Sequence, residues 1–237
     1  QELILDLLKE RAETGRIYIM NLDHCNSHSS FKDKIEMSNL CQEITLPTKP
    51  IQHIDDEKGE IALCILSAIN VGKIRDLSDL EVLCDLAVRS LDELIDFQQY
   101  PVRAAELATK ARRSLGVGYI GLAHYLAKQG EHYGDKKAWE LVHDLSEAFQ
   151  YNLIKSTVNL AKEKGACEFS SRTKYGQGIL PIDTYKKDVD DIVPNNLKYD
   201  WDSLRSLVLE HGVRNSTLSA QMPSESSSVV SNATNGI

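Results

Sequence analysis

The sequence predicts an α/β domain. Three observations carry that reading. Two short runs, Ile17–Met20 and Ile61–Ile69, are apolar almost throughout instead of alternating, as in strands buried on both faces of a parallel sheet. Residues 77–97 and 135–164 repeat apolar side chains three and four apart, the spacing of helices with one buried face. Glycine follows several of the helical segments, at Gly15, Gly165 and Gly212, where a helix end favours it.

Taken in order, residues 1–13 read as an amphipathic helix with Leu3, Leu7 and Leu8 on one side. Ile17–Met20 follows as a buried strand. Asn21–Ser30 is polar and reads as a loop. It holds His24, Cys25 and His28, but no second ligand pair at zinc-site spacing accompanies them. Asp55–Gly59 is a charged turn. Ile61–Ile69 is the second strand and carries Cys64, which reads as packing until more is known. In 77–97, Leu80, Cys84, Leu91 and Ile95 share the apolar face, and Ser78 is placed to cap the start. Pro101 separates this helix from another at 102–114, which ends in Arg112-Arg113.

Gly116-x-Gly118-x-x-Gly121 matches a dinucleotide-binding pattern. That pattern needs a strand before it, and Arg103–Leu115 reads as helix. The glycines are therefore expected to let two helices pack closely at a junction. Asp135–Lys164 is a long helix with Leu141, Leu145, Phe149 and Leu153 inward. Residues 168–178 are loop-like, 181–193 hold a short helix, and 200–211 form a further helix. Thr217–Ala220 is a small-residue strand, and Met222-Pro223 leads into the serine run 224–228.

The chain has 237 residues, 42% of them hydrophobic and 26% charged, ordinary values for a globular protein. Its 27 Lys and Arg against 35 Asp and Glu leave a formal charge of −8, which argues against gripping a nucleic-acid polymer. No apolar run reaches membrane-spanning length, and no secretory signal opens the chain. Five scattered cysteines suit a reducing cytoplasm better than a disulfide scaffold. Gln1 begins inside a helical pattern and Ile237 ends without a terminal helix, so the chain reads as a fragment.

Two stretches carry chemistry. Ser38–Pro50 places Asn39, Cys41 and Glu43 at alternate positions, with Pro47 and Pro50 excluding a helix. If extended, it projects an amide, a thiol and a carboxylate to one side. An amide fixes a hydroxyl, a carboxylate takes its proton, and sulfur does nucleophilic or radical work. The alternative is a half-buried strand with a packed cysteine. Ser224, Glu225, Ser226 and Ser227 stand where a strand hands over to a helix, and their hydroxyls and free N–H groups suit an anion. The alternative there is an N-cap in a polar loop.

Together these pieces resemble the large (alpha) subunit of class I ribonucleotide reductase, of the aerobic bacterial and phage type. Ser38-Asn39-Leu40-Cys41-Gln42-Glu43-Ile44 is similar to that family's active-site finger loop, and Gly59–Cys64 to its next strand. Leu180–Lys187, Gly212–Ser219, Met222–Ser227 and Ser231–Ile237 are similar as well, all in the family's order.

The resemblance implies a ten-stranded α/β barrel with a central cysteine-bearing finger loop, about half of whose strands this chain would hold. It also implies reduction of ribonucleoside diphosphates to deoxyribonucleoside diphosphates. Cys41 matches the thiyl radical that abstracts the ribose 3′-hydrogen. Glu43 matches the base for the 3′-hydroxyl, and Asn39 the amide that bonds the ribose. Cys64 matches one of two reducing cysteines, its partner lying outside this segment. Ser224, Glu225, Ser226 and Ser227 match the turn that holds the diphosphate in one cavity with Cys41; Ser226 stands where relatives often carry Thr. No cofactor or metal binds this segment directly in that scheme. The radical comes from a small metal-containing beta subunit, electrons come from thioredoxin or glutaredoxin, and the full-length protein is a homodimer. ATP and deoxynucleotide effectors bind an N-terminal regulatory domain, which with the C-terminal part of the barrel lies outside 1–237. A glycyl-radical barrel enzyme shares the central cysteine but gives no reason for Glu43 and the serine turn. An inactive or split remnant needing a second polypeptide is the other alternative.

Overall fold

The computed structural model describes residues 2–237, so Gln1 of the first expected helix lies outside the described residues. At its centre are two parallel strands, β1 (Ile65–Asn70) and β2 (Leu115–Ile120), paired from Ile65 opposite Leu115 to Asn70 opposite Ile120. A parallel pair needs a long crossover. Here it is α3 (Asp79–Phe97) and α4 (Arg103–Arg112). Residues 217–220 lie along the other edge of β2, with Leu115 N–H donating to Thr217 O at 3.0 Å and Val117 N–H to Leu218 O at 2.8 Å.

Every residue of β2 is buried. On it pack the apolar faces of α3 and of the 29-residue α6 (Lys136–Lys164). Cys84, Val88 and Ile95 of α3 meet Leu145, Phe149 and Leu153 of α6, and Tyr119 of β2 sits edge-on to Phe149 at 5.3 Å between centroids. Removing any one of the large aliphatic side chains here would cost about 2–5 kcal/mol. α8 (Trp201–His211) adds Trp201, Leu204 and Val208; Asp200 caps it by accepting the Ser203 N–H at 3.0 Å, and Gly212, at φ +71°, closes it. α5 (Leu122–Lys128), α7 (Pro181–Thr184) and α9 (Glu225–Val230) are short.

Several expectations are corrected. Asn21–Ser30 is not a loop: it forms α2 (Leu22–His28), anchored by Asn26, whose Oδ1 accepts the Ile35 N–H at 2.9 Å and whose amide donates to Ile35 O at 2.9 Å. Ile17–Met20 forms no strand. No strand among the described residues pairs with it, and Tyr18 and Ile19 are 59% and 53% exposed. α1 (Glu2–Thr14) is helical but buries none of Leu3, Leu7 or Leu8. Ser78 does not cap α3 with its side chain; Asp76 accepts the Ser78 N–H at 2.8 Å instead. β1 starts at Ile65, four residues later than the apolar run.

The largest correction is at Gly116–Gly121, expected as a helix junction. Gly116 and Gly118 lie inside β2. A Cβ on Gly116 would stand 2.5 Å from Leu66 and 3.1 Å from Ala220, so the glycine lets 217–220 press against the strand. Gly121, at φ +79°, turns the chain from β2 into α5. Thr217–Ala220 follows the edge of β2 but makes a single bridge, Ser219 with Val117, and so is no strand. Two strands are thus formed among the described residues, fewer than the half of a ten-stranded barrel that was expected.

Candidate active site

The cysteine-bearing stretch is a turn, not an extended strand. Ser38 and Thr45 form an antiparallel bridge, and Ser38 Oγ donates to Ile44 O at 2.9 Å. Between them Gln42 N–H donates to Asn39 O at 3.2 Å, and Gln42 adopts φ +58°. The alternate-side rule holds only for extended backbone, so Asn39, Cys41 and Glu43 do not point the same way. Cys41 is exposed at the tip beside Leu40. Asn39 is exposed too, but its side chain folds back over the turn, where Oδ1 accepts the Ile44 N–H at 3.3 Å.

Glu43 is half-buried. Its Oε2 is shielded from solvent and has no hydrogen-bond partner among the described residues. It lines a cavity of about 250 Å³ together with His28, Gln150, Lys174 and Ser219. Lys174 Nζ donates to Asn26 O at 3.1 Å and Ser27 O at 2.7 Å, and burial pulls its pKa below the usual lysine range. Cys64 sits one residue before β1, packed with Cys25 against Ile44 and Ala220. Burial first, and the Glu43 carboxylate second, push the Cys64 thiol up to about 11. Glu43 and Cys64 therefore share one electrostatic environment, in which a carboxylate can accept a proton beside a sulfur held as thiol.

The serine run begins α9, as expected. Ser224 N–H and Glu225 N–H both donate to Asn235 Oδ1, at 2.8 and 3.1 Å, so a side-chain oxygen stands where an anion's would. Ser224 Oγ is buried without a partner among the described residues, while Glu225, Ser226 and Ser227 are exposed. This turn lies past the C-terminal ends of β1 and β2, where Gly121 N–H donates to Thr234 O at 2.9 Å. Cys64 lies at the N-terminal ends. The six residues of β1 separate the two ends by about 20 Å. The cavity that Glu43 lines is not lined by Ser224–Ser227.

Sequence reasoning missed the contacts that hold these pieces. Arg112 bridges Glu60 and Asp33, Arg113 is buried against Asp92, and Asn235 binds the serine turn. Of these, Glu60 and Asn235 had a signal, each being inside a matched motif. The others pair with residues far along the chain.

A buried parallel pair crossed over by helices, with a thiol and a carboxylate at one end of the strands, defines an α/β domain. The chain belongs to the ribonucleotide reductase barrel-domain family, whose model matches residues 1–237. It is 60% identical over its whole length to the ribonucleoside-diphosphate reductase subunit alpha of Haemophilus influenzae, covering 32% of that protein. It is 56% identical to ribonucleoside-diphosphate reductase 1 subunit alpha of Escherichia coli K12 and 45% identical to subunit alpha of Enterobacteria phage T4, in each case over all of this chain and 31% of the relative. The chain spans about a third of the length of the curated relatives it matches. No helix among the described residues is long and apolar enough to cross a membrane.

Proposed function

We propose that this chain is the part of a ribonucleoside-diphosphate reductase alpha subunit that carries the reacting cysteine loop. The carrying observation is the Glu43 carboxylate, with one oxygen buried and unpartnered, lining a cavity and acting on Cys64. A carboxylate left in that state by the fold is available to a substrate hydroxyl.

In this reading Cys41, as a thiyl radical, takes the 3′-hydrogen of the ribose. Glu43 removes the 3′-hydroxyl proton, and Asn39 bonds the sugar hydroxyls once the loop opens toward substrate. The 2′-hydroxyl leaves as water. Cys64 and a second cysteine outside this segment give up two electrons and two protons and become a disulfide. Cys41 then recovers its radical as the 3′-hydrogen returns to the sugar. The diphosphate is held by Ser224, Glu225, Ser226 and Ser227 through hydroxyls and N–H groups now satisfied by Asn235. The radical itself comes from a metal-containing small subunit, and thioredoxin or glutaredoxin clears the disulfide. The full-length chain is a homodimer in the cytoplasm, and its effectors bind a domain outside 1–237. Parts of the protein beyond this segment supply the other strands of a ten-stranded barrel and bring the cysteine loop and serine turn onto one substrate.

Cys41→Ser in the full-length enzyme tests the assignment. A hydroxyl cannot stand in for the thiyl radical, so turnover is lost while diphosphate binding stays near native. Normal multiple turnover in that variant removes Cys41 from the mechanism.

A further inference from the structure

We propose that Arg112 is a positioning residue for the cysteine loop, tying together the two arms of chain from which residues 38–45 project. The inference rests on the reading of Cys41 as the reacting thiol. Arg112 is the last residue of α4 and is 2% exposed. Its Nη2 lies 3.0 Å from Asp33 Oδ2, on the arm that enters the loop. Its Nε and Nη2 lie 3.1 and 2.6 Å from Glu60 Oε2. Glu60 in turn holds the arm that leaves the loop. It exchanges two backbone hydrogen bonds of 3.0 Å with Lys49, and its Oε1 accepts Lys49 Nζ at 2.8 Å.

Two carboxylates from different arms thus converge on one guanidinium. Without a cation between them they would repel in a poorly solvated place. Arg172 supports the pair from the other side, at 2.8 Å from Asp33 Oδ2 and 3.5 Å from Glu60 Oε1. The rings of Phe31 and Phe169 wall the Arg112 guanidinium at 5.7 and 5.1 Å. The loop itself is closed by the Ser38–Thr45 bridge, its own turn bonds and the packing of Ile44 against Phe31, Ile35 and Ala220, and its tip is exposed. Its direction is therefore set by its arms, and its arms meet at Arg112. A lysine keeps the charge but not the fork that reaches both carboxylates.

Arg113 supplies the comparison. It is as deeply buried and pairs with Asp92 and Asp96 of α3, none of which touches either arm. Its loss is a purely structural insult.

The test uses the full-length chain with its small radical-generating subunit, comparing Arg112→Lys and Arg113→Lys. Amide hydrogen exchange reads the loop whether or not the chemistry is assigned correctly. In Arg112→Lys the Gln42 and Ile44 amides exchange about tenfold faster, while the β2 amides do not change. The kcat falls about 10²-fold, as expected for a reacting group displaced by about 1 Å. KM for the ribonucleoside diphosphate moves less than about twofold, because the serine turn is at the other end of the strands. Arg113→Lys leaves loop exchange at the native rate. Asp33→Asn, a milder variant of similar shape, repeats the Arg112→Lys pattern more weakly and serves if the arginine variant does not fold. Native exchange at Gln42 and Ile44 in both Arg112→Lys and Asp33→Asn overturns the proposal. So does faster exchange with native kcat, or equal loosening of the loop in Arg113→Lys. An active Cys41→Ser would overturn the reading of Cys41 and leave the exchange result standing.

Discussion

The two ends of the parallel strands are held by different means. At the N-terminal end, the arms that flank the Cys41 loop are joined by ion pairs between residues 52 to 139 positions apart, from Arg112 with Glu60 to Arg172 with Asp33. At the C-terminal end, the serine turn is fixed by Asn235, ten and eleven residues away. The first end forms only when the whole domain does. The second is close to a local motif. On the proposed function, radical chemistry at the first end would tolerate little error in the placement of its groups, whereas a diphosphate at the second could be met by exposed hydroxyls and N–H groups.

Changes at the cysteine end should therefore strike rate, and changes at the serine end should strike binding. The largest effect after loss of Cys41 is expected from Glu43→Gln, which keeps the shape and removes the base. Its kcat falls about 10²–10⁴-fold. The same change lowers the Cys64 pKa, because the carboxylate helps to raise it. The pH dependence of Cys64 alkylation reads this directly, and a native rate with Glu43→Gln would leave the carboxylate as packing.

Ser224→Ala is a smaller and different perturbation. Its buried Oγ has no partner among the described residues, so removing it breaks no hydrogen bond seen there. Tm should hold or rise, while KM for the diphosphate rises about tenfold, the loss of one hydrogen bond to a charged group. A fall in kcat with unchanged KM would erase the contrast between the ends.

The smallest effect is on stability at high pH. Burial pushes Cys64 and Cys167 up to about 11 and Cys84 up to about 12. Below about pH 8.5 the folded and unfolded thiols both keep their protons, so these groups contribute no slope. Above it the unfolded chain binds fewer protons, and stability falls with rising pH until the folded thiols titrate near 11 to 12. Denaturant midpoints in the full-length chain should decline from pH 9 to 11, and less steeply in Cys84→Ala after allowing for its lower baseline.

How much of this was legible follows the range of the forces. α3, α6 and α8 were readable because a 3.6-residue period is local, and Gly165 and Gly212 marked their ends. β2 was not. Its glycines and the preceding helix hid a strand made by pairing with β1 and by the close approach of Ala220. Ile17–Met20 failed the opposite way, apolar enough for a strand but given no partner. Cys41, Glu43 and Cys64 were legible as candidates through their motif. Their geometry was not, because nothing local announces the left-handed Gln42 that folds the loop into a turn. Arg112 looked like a helix-end charge, and its partners Glu60 and Asp33 come from segments that only the tertiary fold brings together.

The most direct test of the reductase assignment is one turnover without external reductant. The full-length chain, loaded with its small subunit and a ribonucleoside diphosphate, is quenched, and its thiols are mapped by mass spectrometry. About one deoxynucleotide per active site is expected, with Cys64 in a disulfide with a cysteine outside residues 1–237. Cys25, Cys84 and Cys167 stay free. Product formed with Cys64 still a free thiol, or Cys64 bridged to Cys25, Cys84 or Cys167, would contradict the assignment.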